Sequence, residues 1–249
     1  MRIPRIYCDA ELRENEQHLL PSDAAHHVVT VLRMGAGRPL VLFNGRGSEF
    51  CAVIVEASKK NVCVEIKEEN KISRESPLMT ELAIGISRGD RLDWVLQKAT
   101  ELGVTRIVPL FTERTEVKLS KERLKKKQEQ WHKICVTACE QCQRNLLPYV
   151  AEAQSLVDYL SDSSADQKYV LHHRSQKKLS INQRTSSVAL LVGPEGGLSD
   201  AEIELAQLHG FEPLTLGPRV MRTETAPLAA LSLMQYVWGD LQGQSSPVL

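Results

Sequence analysis

The sequence predicts an α/β protein in two parts, a small β-rich N-terminal domain and a larger domain of alternating strands and helices. Three observations carry this expectation. Before about residue 70, apolar and polar residues alternate, as in Val62, Val64 and Ile66 against Cys63, Glu65 and Lys67; period two marks half-buried strands. From Thr80 onward, short apolar runs alternate with helical spacings, the pattern of a mostly parallel sheet with helices on both faces. Between Leu190 and Tyr236, two glycine-bearing turns each follow a short strand. In an open α/β sheet, ligands sit where loops leave the same ends of nearby strands.

In chain order, Ser22 caps a short helix running to about Leu32, closed by Gly35-Ala36-Gly37. Pro39–Phe43, Ser48–Ala57 and Val62–Glu68 are strand-like, joined by Asn44-Gly45-Arg46-Gly47 and Ser58-Lys59-Lys60-Asn61 as hairpin turns. Glu68–Ser76 lacks apolar periodicity and is the linker, closed by Pro77. Leu82–Ile86 is a strand; Gly89–Leu102 is a helix with Leu92, Val95, Leu96 and Ala99 on one face and Gly103 as its stop. Thr105–Leu110 is the next strand, and Ser120 caps a long helix reaching about Arg144 before Pro148. Ser155–Leu160 is a short helix and Lys168–His172 a strand, with polar loops at Ser161–Gln167 and Gln176–Ser187. Val188–Val192 is a buried strand followed at once by Gly193, Gly196 and Gly197, and Ser199 with Glu202 forms a capping box for the next helix. Gly210 ends that helix, Pro213–Leu216 is a strand, and Pro227 stands in the first turn of a last, apolar helix.

Composition excludes several classes. The 249 residues are 42% hydrophobic and 25% charged, ordinary for a globular protein of one or two domains. No apolar run approaches the roughly 20 residues a membrane helix needs, and the N-terminus has no signal-like apolar core, so a cytoplasmic protein without membrane contact is expected. Net charge is zero, which excludes a nucleic-acid binder that is basic in bulk; any RNA grip must be a local stripe. The excess of Lys and Arg falls within residues 71–145, including the run Lys121–Lys127, either a solvated helix face or an RNA-facing patch. Cys135, Cys139 and Cys142 share one helix face. A zinc site would want a second pair of ligands and a redox pair a helix N-terminus, so these thiols are expected to pack as small apolar groups, with no metal site.

The glycine turn after Val192 is not a nucleotide loop. It lacks the Lys of G-x-x-x-x-G-K-[ST], its spacing is wrong for G-x-G-x-x-G, and Glu195 would repel a phosphate. What remains is a backbone cradle for a ligand without phosphate, or simply a tight strand-to-helix turn.

The two loops together are more specific. VGPEGGLSDAEI (192–203) followed by LGPRVMRTETA (216–226) resembles the C-terminal signature of SPOUT-type RNA methyltransferases. It is most similar to the bacterial family that methylates N3 of a uridine in small-subunit (16S) ribosomal RNA. SRGDRLDWVLQKATELGV (87–104), ACEQCQRN (138–145), RIPRIY (2–7) and HHVVTVLRMGAG (26–37) extend the resemblance over most of the chain. It implies a PUA-like β-barrel RNA-binding domain over residues 1–70, a linker over 71–79, and an α/β methyltransferase domain with a trefoil knot over 80–249. Such a knot is an exception to ordinary threading rules.

The resemblance further implies that three loops hold S-adenosyl-L-methionine: Leu171 and His172; Gly193, Glu195, Gly196 and Gly197; and Leu216, Gly217, Val220, Met221 and Arg222. It implies a homodimer acting on small-subunit ribosomal RNA within a ribosomal particle, and the apolar last helix is either a dimer face or plain core. Uridine N3 is a good nucleophile only as its proton leaves. Arg222 is the candidate to stabilise the developing anion, and Glu224 either accepts the proton or holds Arg222 in place. Arg2, Arg5, Arg33, Arg46 and Arg88 are candidate RNA contacts, each otherwise a solvated surface charge or helix cap.

Overall fold

The computed structural model describes residues 3–58, 61–117, 119–172 and 184–243. Arg2, Lys59, Lys60 and most of the polar stretch after Gln176 lie outside the described residues. The chain divides into two compact units, residues 1–75 with 139–147 and residues 76–138 with 148–249.

The first unit is a five-stranded sheet in the order β1-β3-β4-β5-β2, built from β1 (Arg5–Tyr7), β2 (Gln17–Leu19), β3 (Pro39–Phe43), β4 (Glu49–Ala57) and β5 (Val62–Asn70). The pairs β3–β4, β4–β5 and β2–β5 are antiparallel, and β1 runs parallel to β3. Period two is realised as expected: Val62, Val64 and Ile66 are buried with Leu40, Leu42, Phe50 and Ile54. The helix after Pro21 departs from expectation. It is α-helical over α1 (Ser22–His26), then widens into a π-helical turn at His27–Val31. It stops at Arg33, whose φ of 53° is left-handed, two residues before the glycine that was expected to end it.

Arg5 is the buried charge of this unit. Its Nη1 donates to Glu49 Oε2 at 2.6 Å and its Nη2 to Asn145 Oδ1 at 2.5 Å, and its guanidinium stacks on Phe43 at 5.1 Å. Arg74 Nη1 donates to the same Glu49 oxygen at 2.9 Å. Arg5 is thus a structural cation: with its side chain 5% exposed and already paired, it cannot meet a phosphate, which corrects the sequence expectation. Asn145 comes from the segment 139–147, and this bond is one reason that segment groups with the first unit.

In the second unit all strand pairs are parallel. The order is β12-β10-β11-β6-β7-β8, with β9 also pairing β7. The strands are β6 (Met79–Gly85), β7 (Arg106–Phe111), β8 (Tyr149–Val150), β9 (Gln154–Ser155), β10 (Gln167–Leu171), β11 (Ser187–Val192) and β12 (Glu212–Leu214). The helices are α2 (Arg91–Glu101), α3 (Lys121–Cys142), α4 (Leu156–Asp162), α5 (Asp200–Leu208) and α6 (Thr225–Trp238); the last turn of α3 belongs to the first unit by contact. Alternate residues of the central strands feed two cores. Leu82, Ile84, Leu190 and Val192 face α2 and α6, while Ala83, Val108, Ala189 and Leu191 face α4 and α5. No described helix is long and apolar enough to cross a membrane.

Burial alone would raise the Glu49 carboxyl, but hydrogen bonds from Arg74 and Arg5 outweigh it and hold it below the ordinary 4.5. A depressed folded value stabilises the fold above the unfolded value and loses that contribution as pH falls through the folded one. Removing one partner of a buried pair leaves the other uncompensated. In urea titrations Glu49→Ala is expected to cost about 3 kcal/mol at neutral pH, with the gap to wild type closing as pH drops below 4.5.

Candidate functional site

Three neighbouring parallel strands deliver the site. Since β12, β10 and β11 lie side by side and run the same way, the loops after Leu171, Val192 and Leu214 leave one edge of the sheet together. They enclose a cavity of about 250 Å³ lined by Leu171, His172, Val192–Gly197, Leu214–Gly217, Arg219–Met221, Thr223 and Ala226. A larger groove of about 620 Å³ between α2 and α3 touches none of these loops.

The turn after β11 is held from several sides. At Gly193 an added Cβ would stand 2.6 Å from both Gly197 C and Leu198 N, so the chain doubles back with no room for a side chain. Gly197 sits at φ 69°, the left-handed region that favours glycine. Ser199 and Glu202 form the expected capping box on α5. Glu202 also accepts from the Glu113 N–H at 2.8 Å, and Arg114 Nη1 donates to the Gly196 carbonyl at 2.8 Å. The other two loops are laced together by the His172 N–H on the Leu214 carbonyl at 3.0 Å and the Thr215 hydroxyl on the His172 carbonyl at 2.8 Å.

Glu195 does not present a free charge to the cavity. It accepts from the Arg88 backbone N–H at 2.8 Å and from Arg91 Nη1 at 2.6 Å. Partial burial alone would push its carboxyl up; these bonds, with backbone donors in its own turn, hold it below the usual range. Arg91 reaches the second loop as well, its Nε lying 4.0 Å from Glu224 Oε2. Among the lining residues Glu195 is the acid and Arg219 the exposed cation, His172, Thr215 and Thr223 are polar, and the rest are glycine, proline or apolar residues.

Of the residues expected to hold the cofactor, Leu171, His172, Gly193, Glu195, Gly196, Gly197, Leu216, Gly217, Val220 and Met221 all line this one cavity. Arg222 does not. Its side chain is exposed, while its carbonyl accepts from the Thr225 and Ala226 N–H groups at the start of α6. Glu224 is the N-cap residue of that helix, and the arginine beside its carboxylate is Arg91, 4.0 Å away; of the two roles expected for it, holding Arg222 finds no such contact. Among the other arginines, Arg33, Arg46 and Arg88 are exposed, with Arg46 3.5 Å from Asp9 and Arg88 3.0 Å from Glu116. Sequence reasoning missed Val192, Pro194, Leu214, Thr215, Arg219, Thr223 and Ala226 in the cavity, and Arg91 and Arg114 behind it. Arg91 stood within a quoted motif, but only the fold shows what it pairs with. Cys135 and Cys139 are buried in α3, and no cluster of metal-ligating side chains occurs among the described residues.

Known proteins match this architecture over nearly its whole length. The family model of an RNA methyltransferase domain matches residues 74–235, and that of an RNA methyltransferase PUA domain residues 20–67. Ribosomal RNA small subunit methyltransferase E of Bacillus subtilis is 34% identical, the match covering 94% of this chain and 95% of that protein. A Legionella pneumophila protein solved in complex with the bound cofactor SAM superposes with a TM-score of 0.93 at 44% identity, over 96% of this chain and 100% of the other. The ribosomal RNA small subunit methyltransferase E of Neisseria gonorrhoeae, bound to S-adenosyl methionine, does so at 0.91 and 36%, with the same coverage. This chain belongs to the RNA methyltransferase family whose curated members are named ribosomal RNA small subunit methyltransferase E.

Proposed function

We propose that the chain methylates N3 of a uridine in small-subunit (16S) ribosomal RNA, with S-adenosyl-L-methionine as methyl donor. The observation that carries this reading is the convergence of the three loops on one cavity in a chain of this family. The cavity fits the cofactor by its chemistry. Gly193 and Gly197 bring backbone N–H and C=O groups within reach of a ligand, the walls are apolar, and the one acid of the glycine turn is already neutralised. When bound, S-adenosylmethionine supplies an electrophilic methyl group on a sulfonium.

The residues of this chain align and activate the acceptor. Leu171, Val192, Leu214, Leu216 and Met221 exclude water from the cavity, and alignment supplies a large part of the rate. Arg222, exposed beside the cavity-lining Met221 and Thr223, offers a planar set of donors to the uridine oxygen on which negative charge grows as the N3 proton leaves. With no grip on Arg222, Glu224 takes the role of proton acceptor, held in place by Arg91. The target must be unstacked to reach these groups, so looped or single-stranded RNA is the substrate form. Exposed Arg33, Arg46 and Arg88 contact the flanking backbone.

The same reading includes a trefoil knot in the second unit, a homodimer, and a cytoplasmic enzyme acting on a ribosomal particle. The dimer is supported by exposed apolar side chains, Val220 (78%) on the cavity loop and Leu233 (45%) and Tyr236 (57%) on α6.

Nucleoside mass spectrometry of small-subunit ribosomal RNA from cells lacking the chain is expected to show loss of 3-methyluridine; an unchanged level sinks the assignment. Arg222→Ala is expected to lower kcat by about 10²-fold while calorimetry finds the cofactor affinity unchanged, and equal losses of both would contradict its role. Glu224→Gln is expected to lower kcat by about 10²-fold at neutral pH and to recover at alkaline pH, where uridine ionises unaided. Gly193→Ala forces apart atoms that leave 2.6 Å; it is expected to cost about 1–3 kcal/mol in thermal unfolding and to abolish cofactor binding.

A further inference from the structure

The loop after β12 carries a cation to which nothing above gives a role. Arg219 lines the three-loop cavity, and among the described residues it is the single Lys or Arg that does. It is exposed and forms no hydrogen bond or ion pair with a described residue. The arginines around the glycine turn are engaged: Arg91 with Glu195 at 2.6 Å, Arg88 with Glu116 at 3.0 Å, Arg114 with the Gly196 carbonyl at 2.8 Å. The backbone presents Arg219 on a short, restricted turn. Gly217 takes φ 84°, the left-handed region that favours glycine, and Pro218 fixes its own φ. A guanidinium is a planar fork that meets a carboxylate through two parallel N–H···O bonds. The acid of the cavity, Glu195, stands on the glycine turn and is already met by Arg91. A ligand carboxylate therefore finds a like charge on that turn and an unpaired cation on the loop after β12.

We propose that Arg219 binds the α-carboxylate of S-adenosylmethionine and so selects it over adenosine derivatives without an amino-acid tail. The assignment rests on the cofactor reading of this cavity and adds a binding residue to it. At neutral pH the cofactor carries a sulfonium, an ammonium and this carboxylate. Only the carboxylate is attracted to a guanidinium; the two cationic groups are repelled. Arg219 thus sets the direction of the methionine tail, toward the loop after β12.

A ligand that lacks the carboxylate separates this role from a general effect on the loop. Calorimetry measures the Kd of S-adenosylmethionine, S-adenosylhomocysteine and 5′-methylthioadenosine, which has no amino-acid tail, for wild type, Arg219→Gln and Arg219→Lys, with thermal unfolding alongside. The expected result for Arg219→Gln is a Kd raised about tenfold for the two ligands with a carboxylate and changed less than about twofold for 5′-methylthioadenosine. Arg219→Lys, which keeps the charge but not the fork, is expected to fall between wild type and Arg219→Gln. An equal loss for 5′-methylthioadenosine places the effect on the loop rather than on the carboxylate and overturns the assignment, as does an unchanged Kd for S-adenosylmethionine in Arg219→Gln. Should the variants unfold, wild type alone decides: decarboxylated S-adenosylmethionine is expected to bind about tenfold more weakly than the intact cofactor, and equal binding overturns the assignment. If wild type binds neither S-adenosylmethionine nor 5′-methylthioadenosine, the cofactor reading of the cavity fails, and the assignment with it.

Discussion

The whole site depends on one steric constraint, the lack of room for a side chain where β11 ends. At Gly193 the chain folds back until a Cβ would touch Gly197 and Leu198, and the facing Gly85 of β6 leaves only 2.6 Å between its own added Cβ and Pro194. These two positions let the turn lie flat on the sheet edge rather than arch over it. The backbone then forms one wall of a cavity whose other walls come from the loops after β10 and β12. Because those three strands are adjacent and parallel, the convergence needs no long excursion of the chain.

Electrostatics then decide what the cavity receives. An acid in a glycine turn would repel a phosphate, and the structure neutralises it with the Arg91 guanidinium, aided by the Arg88 backbone N–H, instead of leaving it to meet a cation from solvent. The result is a wall that offers hydrogen bonds and apolar surface, suited to an adenosine-like ligand whose charge sits on its amino-acid end. Arg91 also stands near Glu224, so the glycine turn and the loop proposed to do the chemistry share a fastening. A ligand that displaced Glu195 would loosen both.

Most of the fold was legible because its signals are local. Period two in Val62, Val64 and Ile66, the capping box at Ser199 and Glu202, and the left-handed glycine at Gly210 each act within a few residues. The short strands β1, β2, β8 and β9 carry no such signal and exist through pairing with distant partners. Arg5 was misjudged for the same reason: its fate is set by Glu49 and Asn145, far along the chain. In the site, the glycines and the loop residues beside them could be found from the motif, because backbone geometry demands them. Glu224 could not be paired correctly, since Arg222 is its neighbour in sequence whereas Arg91 is its neighbour in space.

The proposed function stands on the three turns forming one cofactor cavity between them. A crystal structure of this protein with S-adenosylmethionine tests it most directly. Ligand density is expected between Gly193–Gly197 and Leu216–Met221, with Leu171 and His172 in contact and the exposed Arg222 turned to a base. Density in the groove between α2 and α3, or none at saturating ligand, would contradict it.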